Sequence, residues 1–195
     1  MTTRLPAATR QRQLLDVAIG AFAESGFHDT SMNDIATAAG VTKPVLYQHF
    51  ASKRALFSAA LEDIGIRLRS EIERAIVDAS GPRDQVRAGF TAYFSFLATD
   101  RASFRVLFSQ ANGVDGEFAA ETARTEQMVA RFVAELIEVE GLGMLEREVL
   151  AYGIVGLAER AGRHWDTGEQ PMAPERLAEL MADLAWAGLR GERRS

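Results

Sequence analysis

One stretch of this chain, Thr30 to Phe57 (TSMNDIATAAGVTKPVLYQHFASKRALF), leaves few ways to fold. Ser31 followed three residues later by Asp34 is a helix-start signal: the serine oxygen accepts from a backbone N–H one turn on, and the carboxylate reaches back. Met32, Ile35, Ala36 and Ala39 then recur at helical spacing. Gly40 turns the chain without a Cβ clash, and Val41 is the apolar plug expected between two short crossed helices. Thr42 is the next N-cap. Lys43 and Pro44 fall in a first turn, where a missing N–H does no harm, and Leu46 and Phe50 face inward. The pattern is a helix-turn-helix.

The outward face of the second helix keeps Lys43, Pro44, Val45, Tyr47, Gln48 and His49. In such a unit the N-terminal residues of this helix enter the major groove, while hydroxyl, ammonium and imidazole groups bind backbone oxygens and set register. Free N–H groups at both helix N-termini also point toward the anion. Lys53, opening a further helix capped by Ser52, is expected to add a phosphate contact.

The run Leu46-Tyr47-Gln48-His49-Phe50, then Lys53 and Leu56-Phe57, preceded by the capped helix and the Ala-Ala-Gly-Val turn, resembles the N-terminal domain of the TetR (tetracycline-repressor) family over about residues 10–60. The resemblance implies an all-α chain with a three-helix helix-turn-helix domain over residues 1–51 and a larger helical ligand-binding and dimerisation domain over 52–195. It implies that Ser31, Thr42, Tyr47, His49 and Lys53 take phosphates and that Asn33, Lys43, Pro44, Val45 and Gln48 face bases. Pro44 stands where many members carry glycine or a small residue. Also implied are a two-fold four-helix bundle between copies and a small-molecule effector whose binding changes the separation of the two heads and releases DNA.

A net charge of −5 looks wrong for a DNA binder until its distribution is considered. Residues 1–60 hold six Lys or Arg against four acids, leaving +2, and residues 61–195 hold sixteen against twenty-three, leaving −7. A duplex would meet the weakly basic end, with Arg10 and Arg12 adding backbone contacts. The 47 % hydrophobic content is ample for a core. The chain has no cysteine, so neither a disulfide framework nor a thiolate metal site is available. No apolar region follows Met1-Thr2-Thr3-Arg4, and no uncharged run is long enough to span a bilayer. A cytoplasmic protein without a membrane partner is expected.

Met1 to Ala8 reads as a frayed arm. A first helix follows from about Thr9 to Ser25, with Leu14, Val17, Ala18, Ala21 and Phe22 on one stripe and Gly26 as its stop. A longer helix from Ser52 carries its apolar period to Ile76, a lever between a sensor and a DNA reader or simply a spacer. Ser80-Gly81-Pro82 punctuates the chain. Helices are expected over about Pro82–Ala98, a short one capped by Asp100, then a loop over Asn112–Gly116. Three more follow, over about Glu117–Glu138, Leu145–Trp165 and Pro174–Leu189, with a separator from Asp166 to Pro171 and a charged tail from Arg190. The last two are apolar on more than one face, as expected of helices that pack within the domain and against a second copy.

Phe90, Tyr93, Phe94, Phe104, Phe108, Met128 and Phe132 are candidates to line a cavity for a mostly apolar small molecule. Glu159, Arg163 and His164 are candidates to meet its polar group. Aromatics at this spacing also serve as plain core, and the late charged residues as a solvated salt-bridging face. The leading reading is a homodimeric transcriptional regulator, a repressor, on a near-palindromic double-stranded operator. Its rivals are a helical interaction module or an enzyme without DNA binding. No cofactor or metal is expected: His28, His49 and His164 lack metal-ligand spacing, and no phosphate loop, dinucleotide fingerprint or Gly-x-Ser-x-Gly elbow occurs.

Overall fold

The computed structural model describes residues 7–109, 119–139, 141–167 and 172–191. Among them lie nine helices and no strand: α1 (Ala7–Asp29), α2 (Met32–Ala38), α3 (Lys43–His49), α4 (Lys53–Ile76), α5 (Pro82–Thr99), α6 (Arg101–Ser109), α7 (Ala119–Leu136), α8 (Met144–Thr167) and α9 (Pro174–Gly191). The all-α expectation holds. The arm expected over residues 1–8 is described only at Ala7 and Ala8, which open α1, and the tail only at Arg190 and Gly191, which close α9. The loop expected at 112–116 and most of the separator after Thr167 lie outside the described residues.

The described chain falls into two compact units. The first takes residues from 1–64 and 102–122, the second from 65–101 and 123–195. The division therefore cuts inside α4, between Ile64 and Gly65, whereas the sequence placed a boundary before Ser52. It also puts nearly all of α6, whose Phe104, Val106, Leu107 and Phe108 are buried, in the first unit.

In the first unit α1 supplies Leu14, Leu15, Ala18, Ile19 and Phe22 to the core, against Ile35 and Ala36 of α2, Leu46 of α3 and Leu56 and Phe57 of α4. Phe57 is the centre of an aromatic cluster, its ring edge-on to Phe22 at 5.0 Å and to Phe27 at 5.2 Å. Gly26 interrupts α1 with φ 76° and ψ 172°, a conformation that needs glycine. The buried Thr30 fastens this break by donating to the Gly26 carbonyl at 2.6 Å and the Ala21 carbonyl at 3.2 Å. α2 ends as the Ala-Ala-Gly-Val pattern requires. Val41 N–H donates to the Ala36 carbonyl at 2.9 Å and Gly40 N–H to Thr37 at 3.1 Å, with Gly40 at φ 65°.

In the second unit α5 packs along α9, and Ala130, Ala134, Ile137, Val139 and Ala151 form a buried aliphatic cluster from α7, the residues after it and α8. A Cβ placed on Gly65 would stand 2.7 Å from Thr125 Cγ2 and 2.9 Å from Met128 Cε. Only glycine lets α4 approach α7 this closely. Arg67 and Asp100, paired at 2.6 Å, tie α4 to the end of α5. No described helix is long and apolar enough to cross a membrane.

Candidate nucleic-acid interface and cavity

The short helix α3 divides its residues cleanly. Leu46 is fully buried, and Phe50 at its C-cap is nearly so. Thr42, Lys43, Pro44, Tyr47 and Gln48 are exposed, and Val45 and His49 are half-buried. With about 100° between successive residues, one anchor at Leu46 turns Lys43, Tyr47 and the residues beside them to solvent. Thr42 occupies the N-cap position yet makes no side-chain capping bond, so its hydroxyl is not spent on the helix. Pro44 sits in the first turn, where its missing N–H leaves no carbonyl unpaired. The Lys43 ammonium stands 6.0 Å from the centroid of the Tyr47 ring, one turn away.

Two other residues expected to hold phosphates are engaged inside the chain. Ser31 forms the capping box that its spacing to Asp34 foretold: its oxygen accepts from Asp34 N–H at 3.2 Å, and Asp34 Oδ2 accepts from Ser31 N–H at 3.0 Å. The hydroxyl itself donates to Asp34 Oδ2 at 2.6 Å. That bond, with the backbone one, holds the Asp34 carboxyl below its ordinary range, and the resulting negative charge opposes an anion at this end of α2. Asn33 beside it is exposed.

Lys53 is drawn further in. Its ammonium donates to the carbonyls of Phe27 at 2.7 Å, His28 at 3.1 Å and Thr30 at 2.9 Å, and lies 4.4 Å from the Phe27 ring centroid. An ammonium has three N–H groups, and all three are used. Lys53 thus latches the start of α4 to the connection between α1 and α2, satisfying carbonyls that the break at Gly26 leaves without helical partners. The sequence marked an informative lysine, but spacing along the chain does not reveal which carbonyls converge on it.

The second unit holds a cavity of about 120 Å³ between α4, α5, α7, α8 and α9. Ile72, Ile76, Val86, Phe90, Tyr93, Val129, Val133, Ile154, Val155, Trp186 and Leu189 are among its walls. Of the aromatic residues expected there, only Phe90 and Tyr93 line it. Phe94 is fully buried behind them, edge-on to Tyr93 at 5.1 Å. Phe104 and Phe108 pack on each other at 4.7 Å in the first unit. Met128 and Phe132 face a different groove, where the Arg69 guanidinium covers Phe132 at 5.2 Å. The aliphatic walls were missed because valines and isoleucines at helical spacing look the same whether they meet a side chain or a void.

Glu159 and Arg163 form an ion pair at 2.6 Å with both side chains largely covered, while His164 is exposed. The pair acts electrostatically on Tyr93 and on Glu126. Burial, then Glu159, push the Tyr93 hydroxyl far above its ordinary range, with Arg163 opposing. Burial and then Glu159 likewise raise the Glu126 carboxyl, Arg163 again opposing. The Tyr93 hydroxyl is buried and has no hydrogen-bond partner among the described residues, a condition that costs about 1–3 kcal/mol in a closed interior. Among the described residues no cluster of His, Asp or Glu is arranged to hold a metal ion.

A third feature lies on α8 and α9. Leu145, Val149, Tyr152 and, on α9, Leu180 and Leu184 are exposed, spaced so that each helix shows one apolar stripe. Gly153, Gly156 and Gly188 interleave with them, and a Cβ on any of the three would meet nothing within 4 Å.

Comparison with known proteins accounts for most of the chain. Residues 14–60 match the family described as Bacterial regulatory proteins, tetR family, and residues 82–188 match the Tetracyclin repressor-like, C-terminal domain. The chain is similar to the HTH-type transcriptional activator FasR of Mycolicibacterium smegmatis, with 32% identity over 187 residues, covering 95% of this chain and 85% of the relative. Among solved structures it is similar to a TetR-like transcriptional regulator from Rhodococcus sp. RHA1, at TM-score 0.77 and 32% identity, covering 96% of this chain and 100% of the other. It also shares its fold with the regulator FadR from Bacillus subtilis, solved in complex with stearoyl-CoA, at TM-score 0.80 and 18% identity over 91% of this chain and 98% of that one.

Proposed function

This chain belongs to the TetR family and is a transcriptional regulator with a DNA-binding domain, and we propose that it acts as a homodimer whose two α3 helices enter adjacent major-groove half-sites of a near-palindromic operator. The observation that carries this reading is the exposed face of α3, held rigid by Leu46. In this reading Lys43, Pro44, Val45 and Gln48 meet base edges, and Thr42, Tyr47 and His49 meet backbone phosphates, which their exposed or half-buried positions support. Ser31 and Asn33 flank the groove from α2. Lys53 supports this face by fixing α4 beneath it and does not itself touch phosphate.

The apolar stripes of α8 and α9 are the faces that pair the two copies. Stripes this apolar are covered in a stable protein, and glycines that no part of their own chain requires suit the close approach of another helix.

The cavity is the effector site. Its aliphatic and aromatic walls favour an apolar molecule, a reading supported by the Bacillus subtilis regulator of similar fold, which was solved in complex with stearoyl-CoA. Ile72 and Ile76 on its wall belong to the same helix as Leu56 and Phe57 of the first unit's core, so an occupant that displaces α4 acts on the DNA-binding head along one element. Ligand binding releases the operator, and the regulator represses. A second reading, activation, is favoured by the relative named a transcriptional activator.

Fluorescence anisotropy with duplexes from the DNA flanking the regulator's own gene tests the first claim: a complex is expected whose affinity falls about tenfold or more between ~50 and ~200 mM salt. Sedimentation of wild type against Val149→Glu/Leu184→Glu tests the dimer, the variant being expected as a folded monomer with lost operator binding. A salt-insensitive complex, or an unaltered dimer in the variant, would overturn the corresponding claim. Reporter output in a deletion strain separates the two signs, rising for a repressor and falling for an activator.

A further inference from the structure

Tyr93 is chemically out of place among its neighbours. Phe90, Phe94 and Phe96 fill the other buried aromatic positions around it on α5, so packing here is met by plain rings and the phenolic oxygen adds nothing to it. Yet that oxygen is buried and unpartnered among the described residues, on a residue that lines the cavity. A buried tyrosine hydroxyl ordinarily finds a partner, and one left without is explained when the partner is a molecule that comes and goes.

The charges around it narrow the choice of molecule. The guanidinium of Arg163 already faces Glu159 at 2.6 Å, and Glu126 lies within the field of both. A carboxylate head group here would bring a third acid to a single base. At the exposed rim the cavity is lined by Glu138 and Arg190, one of each sign, which adds no net positive charge.

Resting on the reading of this cavity as the effector site, we propose that the effector pairs an apolar body with an uncharged oxygen acceptor, a ketone, ester or thioester carbonyl or a hydroxyl, which accepts a hydrogen bond from Tyr93. Tyr93 is then the residue that distinguishes oxygenated ligands from hydrocarbons of the same shape, because a donor already unpaired in the empty cavity gains a partner only from the molecule that carries the acceptor. Glu159 and Glu126 disfavour the acid form, Arg163 being already paired with Glu159.

Three probes with the same ten-carbon skeleton separate these claims: butylbenzene, the ketone butyrophenone and the anion 4-phenylbutyrate. Calorimetric titration of the full chain and of Tyr93→Phe should show butyrophenone weakened about tenfold by the substitution, with butylbenzene changed less than about twofold. In the wild type 4-phenylbutyrate should bind more weakly than the ketone. Equal effects on ketone and hydrocarbon, or tightest binding by the anion, would overturn the proposal while leaving the cavity as effector site. A melting temperature of Tyr93→Phe below that of the wild type would assign the hydroxyl to the fold and also overturn it. Wild type that binds neither butylbenzene nor butyrophenone would overturn the effector-site reading itself, and this proposal with it.

Discussion

Tyr47 on α3 and Tyr93 on α5 carry the same hydroxyl into opposite surroundings, the first 44% exposed and the second 8%. Around Tyr47, the polar groups described above either face water or are matched within the unit: Ser31 with Asp34, Thr30 with two carbonyls, Lys53 with three. Around Tyr93 they are drawn inside, beside a cavity, with the hydroxyl unmatched. A head that satisfies its own polar groups can vary its outer face without loosening the fold. A unit that buries an unmatched group gains on removing it, and gives up whatever that group was placed to recognise.

The largest expected effect tests the self-sufficiency of the head. Lys53→Met removes three charge-assisted hydrogen bonds and should lower the unfolding free energy by about 2–4 kcal/mol in denaturant titrations. The salt slope of DNA binding by the folded protein should stay the same. Unchanged stability with a slope reduced by about one would make Lys53 a phosphate contact and break the comparison.

Next comes the close crossing of α4 and α7. Gly65→Ala should cost about 1–2 kcal/mol, since overpacking against Thr125 outweighs the better helix propensity of alanine. Thr125→Ala in the same chain should recover part of the loss, and a purely additive double mutant would show that the contact is not what makes the glycine necessary.

Tyr93→Phe should run the other way, raising the ligand-free unfolding free energy by about 1 kcal/mol because an unmatched donor disappears. Thermal or chemical melts decide it, and a decrease would place Tyr93 on the same footing as the head's polar groups. The smallest effect on stability belongs to Tyr47→Phe, within about 0.5 kcal/mol of wild type, although binding to every duplex should weaken by a few-fold without change of sequence preference.

The uneven legibility of the two regions has the same origin. Ser31, Gly40, Thr42 and Leu46 act within one or two turns of their own position, so spacing alone gave the capping box, the left-handed turn and the inward anchor. The helices of the acidic half were also legible from their period and from Pro82 and Pro174. The carbonyl partners of Lys53 were not legible, because carbonyls freed by Gly26 lie far from it in sequence and close to it in space. The cavity walls were hardest. Phe132 and Val133 differ by one position, yet the first meets Arg69 in a surface groove and the second the void, a choice made by how α7 is rotated against its partners. Nothing in the local pattern of α7 records that rotation.

Gly153, Gly156 and Gly188 have no neighbour within 4 Å of where a side chain would begin. A methyl group added at any of them leaves the interior of the protomer as it was and is felt only by a body arriving from outside. Related regulators sharing one cell could therefore drift apart in whom they pair with by a single carbon, without any cost to how each of them folds.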